Sequence, residues 1–311
     1  MLKEHQVTVD LVKGSKSEYI IRDILGITIG RVYIIELSKE NRYCSFRIKF
    51  YKSDELSYEP LKESINIFLI SLFKNMDVNK VNVFADEEIN IMSFTDLGFN
   101  LEGIVSRSII SNGTYRDELL FGIDFETFNN EHKYREPEAK GISVSLSVLT
   151  PSDAEDVLKY YLKNKEYLSP FEPDRDDSFY TLPVQKRNLI EGYKQFLNGD
   201  SVNFGIYRGN KFIGKVQISN IIIGVFKSAF VGYSIDREEQ GKGYMKETLN
   251  LVSKYAFDEM GLHRLEASTL VDNVKSQRVL KACGFKELGI SEKYLFINGK
   301  WRDHIIFYKT K

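Results

Sequence analysis

Apolar and polar residues alternate from Val202 to Arg208, the period of a half-buried strand, and Gly209-Asn210 follows as a two-residue turn. From Tyr244 to Met260 the period changes, and Leu249, Val252, Tyr255 and Ala256 fall on one face of a helix. Thr150-Pro151-Ser152-Asp153 reads as a helix start, with a cap, a proline at the first helical position and an acid at the third. A second helix is expected over about Leu182 to Asn198, after the loop "NKEYLSPFEPDRDD". Asp272 is the expected cap of a helix that runs to about Cys283 and stops before Gly284. Asn298-Gly299 marks a hairpin turn between "KYLFI" and "KWRDHIIFY".

The pattern occurs twice. Shifted by 186, "GFNLEGIVSRSIISNGTYRDELLF" (Gly98 to Phe121) lies without a gap on "GFKELGISEKYLFINGKWRDHIIF" (Gly284 to Phe307), with nine of 24 positions identical. Average composition gives about one or two identities over such a length. A shift of 184 places "IGRV" (Ile29 to Val32) on "IGKV" (Ile213 to Val216), and "FKNM" (Phe73 to Met76) on "FDEM" (Phe257 to Met260). Each copy reads strand, hairpin, strand, strand, helix, strand, helix, strand, hairpin, strand. The second copy adds the two helices at its start, so the first reads as truncated. Residues 1–125 and 141–311 are expected as domains, joined by a polar linker at 126–140 that contains Pro137. The expected class is α+β, a central twisted mixed sheet flanked by helices in each half.

Composition narrows the function. Hydrophobic content of 42% with no bilayer-length apolar run leaves no membrane partner. The start "MLKEHQVTVD" has no apolar signal region, so a cytoplasmic location is expected. A formal net charge of -1 gives no basic footprint for nucleic acid. Cys44 and Cys283 have no C-x-x-C or histidine cluster around them, which supports neither a disulfide framework nor a metal site.

One motif carries chemistry. In "DREEQGKGYMKETL" (Asp236 to Leu249), Gly241 and Gly243 stand between the strand "SAFVGYSID" and the Tyr244 helix. Free N–H groups at a helix start bind phosphate, and glycine lets phosphate oxygens approach closely. With "VLTPSDAEDV", "NKEYLSPFEP", "GLHRLEASTLVDNVKSQRVLKACGFKELG" and "YLFINGKWRD" in this order, the region from Ile142 to Lys311 resembles the GCN5-related N-acetyltransferases (GNAT), within them the RimJ/RimL-type branch.

The resemblance implies a GNAT-like acyl-CoA N-acyltransferase fold in each half, and acetyl-CoA as cofactor of the second. Its pyrophosphate would sit on Gln240, Gly241, Lys242, Gly243 and Tyr244, with Met245 next in the helix. Its pantetheine arm would lie between a strand carrying Val231, Tyr233 and Ile235 and the strand Arg264 to Leu270. Asn273 and Ser276 would meet the sulfur end, Ser276 as general acid, and N–H groups near Val231 would polarise the thioester carbonyl. Glu238 stands where the family usually has Arg or Gln. The two sites where relatives carry a base are apolar here, Leu295 and Phe230. Substitutes are Glu292, Tyr294, Glu172 and Asp174, although strand alternation sets Glu292 and Tyr294 opposite Leu295. Without a strong base the acceptor is expected to be an α-amine, whose pKa of about 7.7 to 8.0 leaves it partly neutral, unlike lysine at about 10.4.

In the first copy the glycines are replaced by Ser57, Tyr58 and Glu59, so a cofactor-free domain is expected, standing where family dimers place a second subunit. The chain itself is expected as monomer or homodimer. The leading function is direct transfer of acetyl, in a ternary complex, to a protein or peptide N-terminus. The alternatives are a small-amine acetyltransferase, for a polyamine or antibiotic, and a non-catalytic coenzyme A sensor or scaffold.

Overall fold

In the computed structural model, which describes residues 6–51, 57–111, 113–129 and 137–311, the elements gather into two units, Met1–Arg135 and Glu136–Lys311. The first runs β1 (Val7–Leu11), β2 (Glu18–Asp23), β3 (Thr28–Ser38), β4 (Tyr43–Phe50), α1 (Tyr58–Ile70), β5 (Lys80–Asp86), α2 (Met92–Thr95), β6 (Asn100–Ser111), β7 (Thr114–Asp124) and α3 (Phe125–Asn129). Its strands form one sheet in the order β1-β2-β3-β4-β5-β7-β6, antiparallel throughout except where β4 meets β5.

The second unit runs β8 (Glu138–Lys140), β9 (Ser145–Val148), α4 (Ala154–Leu168), α5 (Leu182–Leu197), β10 (Val202–Arg208), β11 (Lys211–Ile222), β12 (Ser228–Ile235), α6 (Tyr244–Lys254), β13 (Arg264–Leu270), α7 (Val274–Ala282), β14 (Lys286–Ile297) and β15 (Lys300–Thr310). The sheet order is β14-β15-β13-β12-β11-β10-β9-β8, with β12 and β13 the parallel pair. Seven of these strands repeat the order and sense of the first sheet, and each unit is an α+β mixed sheet with flanking helices. Of the segment expected as a linker, residues 126–129 fall in α3 and Glu138–Lys140 is an edge strand pairing with β9, while residues 130–136 lie outside the described residues.

Strand alternation decides which side chains meet which helices in the second unit. Phe204 and Val216 pair across β10 and β11 and point to α6, where the Phe204 ring meets Tyr255, in the π-helical extension of α6, edge-on at 5.4 Å. Their neighbours Asn203 and Gln217 point the other way, and Asn203 Nδ2 lies 3.1 Å from where a Cβ of Gly192 on α5 would stand. From α4, the Tyr160 hydroxyl bonds Ser234 Oγ of β12 at 2.9 Å. Helices α4 and α5 therefore cover one face of β10–β12, and α6 and α7 the other. The start of α4 has the expected capping box, with Thr150 and Asp153 bonding reciprocally.

The repeated residues repeat their roles. A Cβ on Gly214 would stand 2.4 Å from the Ser234 carbonyl oxygen, and one on Gly30 would stand 2.8 Å from that of Lys49, so neither strand admits a side chain there. Phe121 and Phe307 are both fully buried. Helices α1 and α6 each run on into a five-residue π-helical segment, Ser71–Asn75 and Tyr255–Glu259. The last hairpins break register at matching places, Leu101/Gly103 and Val105/Ile109 against Glu287/Gly289 and Ser291/Leu295. In each wide bulge one residue takes a left-handed backbone, Arg107 at φ 53° and Lys293 at φ 48°. Its N–H donates to an aspartate of the facing strand, Asp117 at 2.8 Å and Asp303 at 2.7 Å. The aspartate of each repeated Arg-Asp pair, Arg116-Asp117 and Arg302-Asp303, thus anchors the bulge of its hairpin. Asn112, whose equivalent is Asn298, lies outside the described residues.

One cap is displaced from its expected position. Asn273 caps α7, accepting from Ser276 N at 3.1 Å, while Asp272 accepts from Arg302 at 2.6 Å. Both cysteines are buried free thiols, and burial pushes Cys44 up to about 12. Among the described residues no helix is long and apolar enough to cross a membrane.

Removing the aspartate that holds the bulge leaves an N–H at a strained residue without its acceptor. Asp303→Ala is expected to cost about 1 kcal/mol and to lower the midpoint of the second unit by about 2–4 °C. The only tryptophan, Trp301, lies on the same hairpin and reports the transition by fluorescence. An unchanged midpoint would remove the structural reading of the repeated Arg-Asp pair.

Candidate functional site

The glycine turn begins where β12 ends. Asp236 is buried and accepts from Glu238 N at 3.0 Å, starting a short 3-10 turn over Arg237–Glu239. Gly241 and Gly243 follow with φ of +73° and +84°, and a Cβ at either would point into open space. Gly243 caps α6, so the first N–H groups of that helix have no partner within it.

Contacts from α4 and β11 hold this turn. Asn164 Oδ1 accepts from Arg237 N at 3.0 Å, and Lys163 donates to Asp236 and Glu238 at 2.7 Å each. Glu239 is almost fully buried and accepts from Lys211 and Lys242 at 2.8 Å each, with Arg208 at 3.6 Å. Hydrogen bonds from Lys211 and Lys242 hold its carboxyl well below the usual range, at about 2. Lys242, expected to face the cofactor, is thus already paired with Glu239. Gln240 is held from two sides, by the Tyr167 hydroxyl of α4 and by Lys275 of α7 at 3.1 Å. A turn fixed this way presents its backbone N–H groups without having to reorganise.

Beside the turn the sheet opens. The parallel pairing of β12 with β13 covers only Ser228–Phe230 against Arg264–Glu266. Beyond Phe230, β12 pairs only with β11, and beyond Glu266, β13 pairs only with β15. The expected parting of the strands therefore starts at Val231 and Ala267, three residues into β13. Val231 and Ile235 are buried, so their contribution along this edge is through the backbone. Met245 is buried likewise. In the first unit the equivalent strands stay paired over six positions, Tyr43–Ile48 against Lys80–Ala85.

Ser276 of α7 comes to this opening. Its hydroxyl lies 2.9 Å from the hydroxyl of Tyr233, which also bonds the Ser276 carbonyl at 3.3 Å. Burial pushes the Tyr233 hydroxyl above its ordinary pKa, so it stays protonated. Asn273 Oδ1 is taken by the cap, which leaves its amide N–H groups as donors. On the α4/α5 face, Gly232 is exposed and a Cβ there would meet nothing within 4 Å. The open edge and the open face meet at this residue.

The proposed bases are scattered. Glu292 is exposed on β14 and Asp174 is exposed in the loop after α4. Tyr294 packs its ring against buried His304 at 5.6 Å. The alternation that separates Glu292 and Tyr294 from Leu295 does not apply, because both residues lie inside the bulge between Ser291 and Leu295, where three residues stand against one of β15. Glu172 is half-buried and pairs with Arg175 at 3.7 Å. Glu266, which no sequence motif marks, pairs in register with Phe230 where the strands part and accepts from Arg264 at 2.6 Å. The signal was present as an acid in the strand after α6, but its register with Phe230 is a tertiary fact.

A glycine turn with open N–H groups and an unpaired strand edge leading to a serine hydroxyl fit a cofactor with a pyrophosphate and an extended amide-bearing arm. The comparisons agree. The family described as "Acetyltransferase (GNAT) domain" matches residues 144–286. A "Probable N-acetyltransferase YjcK" of Bacillus subtilis is 36% identical over 167 residues, covering 53% of this chain and 92% of that protein. The solved ribosomal-protein-S5-alanine acetyltransferase of Vibrio fischeri is 34% identical with a TM-score of 0.54, covering 56% of this chain and 97% of that one. Mycobacterium smegmatis RimJ, solved in complex with CoA-disulfide, is 28% identical with a TM-score of 0.53, covering 54% of this chain and 81% of that one. The chain belongs to the GNAT acetyltransferase family and is an N-acetyltransferase.

Proposed function

We propose that the second unit acetylates the α-amine of a protein or peptide N-terminus, by direct transfer with donor and acceptor bound together. The observation that carries this reading is the parting of β12 from β13 beside a rigid glycine turn, with the open face of Gly232 on the acceptor side. The relative from Vibrio fischeri, named for an alanine of ribosomal protein S5, supports a protein as the acceptor.

Acetyl-CoA is the cofactor and supplies an acetyl group as a thioester. The backbone N–H groups from Gln240 to Met245 would hold its pyrophosphate, and the free edge of Val231–Ile235 would pair with its amides. N–H groups near Val231 polarise the thioester carbonyl. With the donor bound, acyl transfer would join the acceptor nitrogen to the carbonyl carbon as the carbon–sulfur bond breaks. The Ser276 hydroxyl, oriented by Tyr233, would give its proton to the departing thiolate and be reprotonated from solvent. The proton lost by the amine leaves on water, which suffices for an amine that is partly neutral before it binds. We also assign the first unit to the same fold without a cofactor site, since β4 and β5 leave no open edge and Tyr58 and Glu59 form the first turn of α1.

Ser276→Ala is expected to lower kcat about a hundredfold while leaving acetyl-CoA affinity within a few-fold. Gly241→Glu is expected to weaken acetyl-CoA binding by at least about a hundredfold, by placing a charge and a side chain in the cradle. Calorimetry on the wild type is expected to give one acetyl-CoA per chain, and two would refute the assignment of the first unit. With an alanine-first peptide, kcat/KM is expected to rise with pH and level off above about 8, following the amine. Equal turnover of lysine side chains at neutral pH would sink the acceptor reading.

Glu239 gives a pH prediction. Its folded pKa of about 2 lies below the unfolded value near 4.3, so its stabilisation is complete above about pH 5 and is lost as pH falls toward 2. The melting-temperature difference between wild type and Glu239→Gln is therefore expected to be largest above pH 5 and to shrink on acidification. A difference that does not vary with pH would contradict the ion-paired turn.

A further inference from the structure

On the α4/α5 face of the second sheet lies a cavity of about 300 Å³, lined by residues of both helices, of β10 and β11, and of the loop between the helices. Its floor is Lys215 and Gln217 of β11 with Asn203 of β10, and Tyr161, Arg175 and Gln195 are on its walls. Five amide side chains, those of Gln185, Asn188, Gln195, Asn203 and Gln217, line this half-open space with the Lys215 ammonium. Gln185 donates to the Phe179 carbonyl and Gln195 accepts from Ser201, and polar groups drawn away from water are costly to leave without partners.

Lys215 is the group that defines the cavity. Its ammonium donates to the Tyr161 hydroxyl and stands over that ring, 4.9 Å from the centroid. It has three donors, and it forms no ion pair with any described carboxylate. Burial works against its charge, but the Tyr161 oxygen and the Glu172 carboxylate outweigh this, and the group stays charged. The other nearby charges are already paired. Arg175 stacks on Phe179 at 4.3 Å and pairs with Glu172 at 3.7 Å, and Glu191 pairs with Lys194 at 3.0 Å. The cavity therefore presents an ammonium with no described carboxylate in contact, steadied only at a distance by Glu172, which Arg175 already holds, beside neutral amide side chains.

We propose that this cavity is a binding pocket for a carboxylate, held by the Lys215 ammonium and the Tyr161 hydroxyl with Gln217 and Asn203 beside it. One free cation with neutral amides matches a single planar negative charge, whereas a phosphate would leave about one charge unmatched. The pocket is adjacent to the acceptor side of the site. Lys215 pairs in register with Ser234 and Gln217 with Gly232, so its floor is one strand, about 4.8 Å, from the open face where the sheet parts. The carboxylate comes from one of two sources, an acidic side chain following the acceptor's first residue or a free small carboxylic acid. The first source rests on the proposed N-terminal acceptor, and the second does not.

The test uses the full chain with coenzyme A and has two arms. In the first, succinate is titrated by calorimetry into wild type, Lys215→Met, Lys215→Arg and Tyr161→Phe. Binding is expected in wild type, weakened about tenfold or more in Lys215→Met, and largely kept in Lys215→Arg. Lys215→Met replaces a half-buried charge by an apolar group of similar length, so its melting temperature is expected at or above that of wild type, which separates lost binding from lost fold. In the second arm, Ala-Asp and Ala-Asn peptides, otherwise identical, are compared as acceptors. A lower KM for the aspartate peptide, lost in Lys215→Met with kcat for the asparagine peptide unchanged, identifies the acceptor as the source. Succinate binding that alters neither KM identifies a free acid. If neither peptide is acetylated while succinate still binds through Lys215, the N-terminal acceptor fails and the pocket stands. Absence of succinate binding together with equal KM values, or equal succinate affinity in Lys215→Met, overturns the pocket.

Discussion

Backbone hydrogen bonds that a sheet declines to make are the constraint on which the second unit is organised. Beyond Phe230 and Glu266 the two central parallel strands each keep one partner and leave one edge unpaired. Unpaired N–H and C=O groups away from water cost about 1–3 kcal/mol each, so such an opening persists only where the surroundings hold it and a partner completes it. An extended chain of amides is the partner such an edge accepts. The position of the glycine turn, the serine on α7 and the bare face at Gly232 all follow from where that opening starts.

The first unit separates what the fold requires from what the site requires. It keeps the buried phenylalanine, the close-packed strand glycine, the π-helical helix end and the aspartate that holds the bulge. All of these serve packing or strand register. It lacks the parted strands and both glycines of the turn, and its helix begins earlier, with Tyr58 and Glu59 in the first turn. Two sheets that share seven strands in one topology thus differ at the glycine turn and at the open strand edge, on which the proposed cofactor site rests.

Local rules made much of this legible in the sequence. The alternation at Val202–Arg208, the capping box at Thr150, the turn at Asn298-Gly299 and the Gly241 and Gly243 pair each depend on a few adjacent residues. What was not legible depends on register or on contacts across the chain. Alternation says nothing of Glu292, Lys293 and Tyr294, because these three residues bulge out between Ser291 and Leu295 against one residue of β15, which no alternation pattern can reveal. Asp272 and Asn273 are equally good caps by composition, and Arg302 on a distant strand claims the aspartate. Glu266 gains interest only because β13 pairs with Phe230.

Lys215 is the clearest case of a residue hidden in plain alternation. In "IGKV" it stands as the polar residue between Gly214 and Val216, and the usual expectation for such a strand lysine is solvent. That expectation holds for a sheet with one bare face. Here the two helices that only the second unit possesses lie over that face, and Tyr160 bonds Ser234 beside it. Arg31, at the same place in the first sheet, pairs instead with Glu18 on the adjacent strand. Where the first sheet supplies a carboxylate from its own neighbour, the second supplies Tyr161 and a cavity. The added helices therefore turn a surface lysine into a desolvated charge, and a desolvated charge selects what may bind beside it.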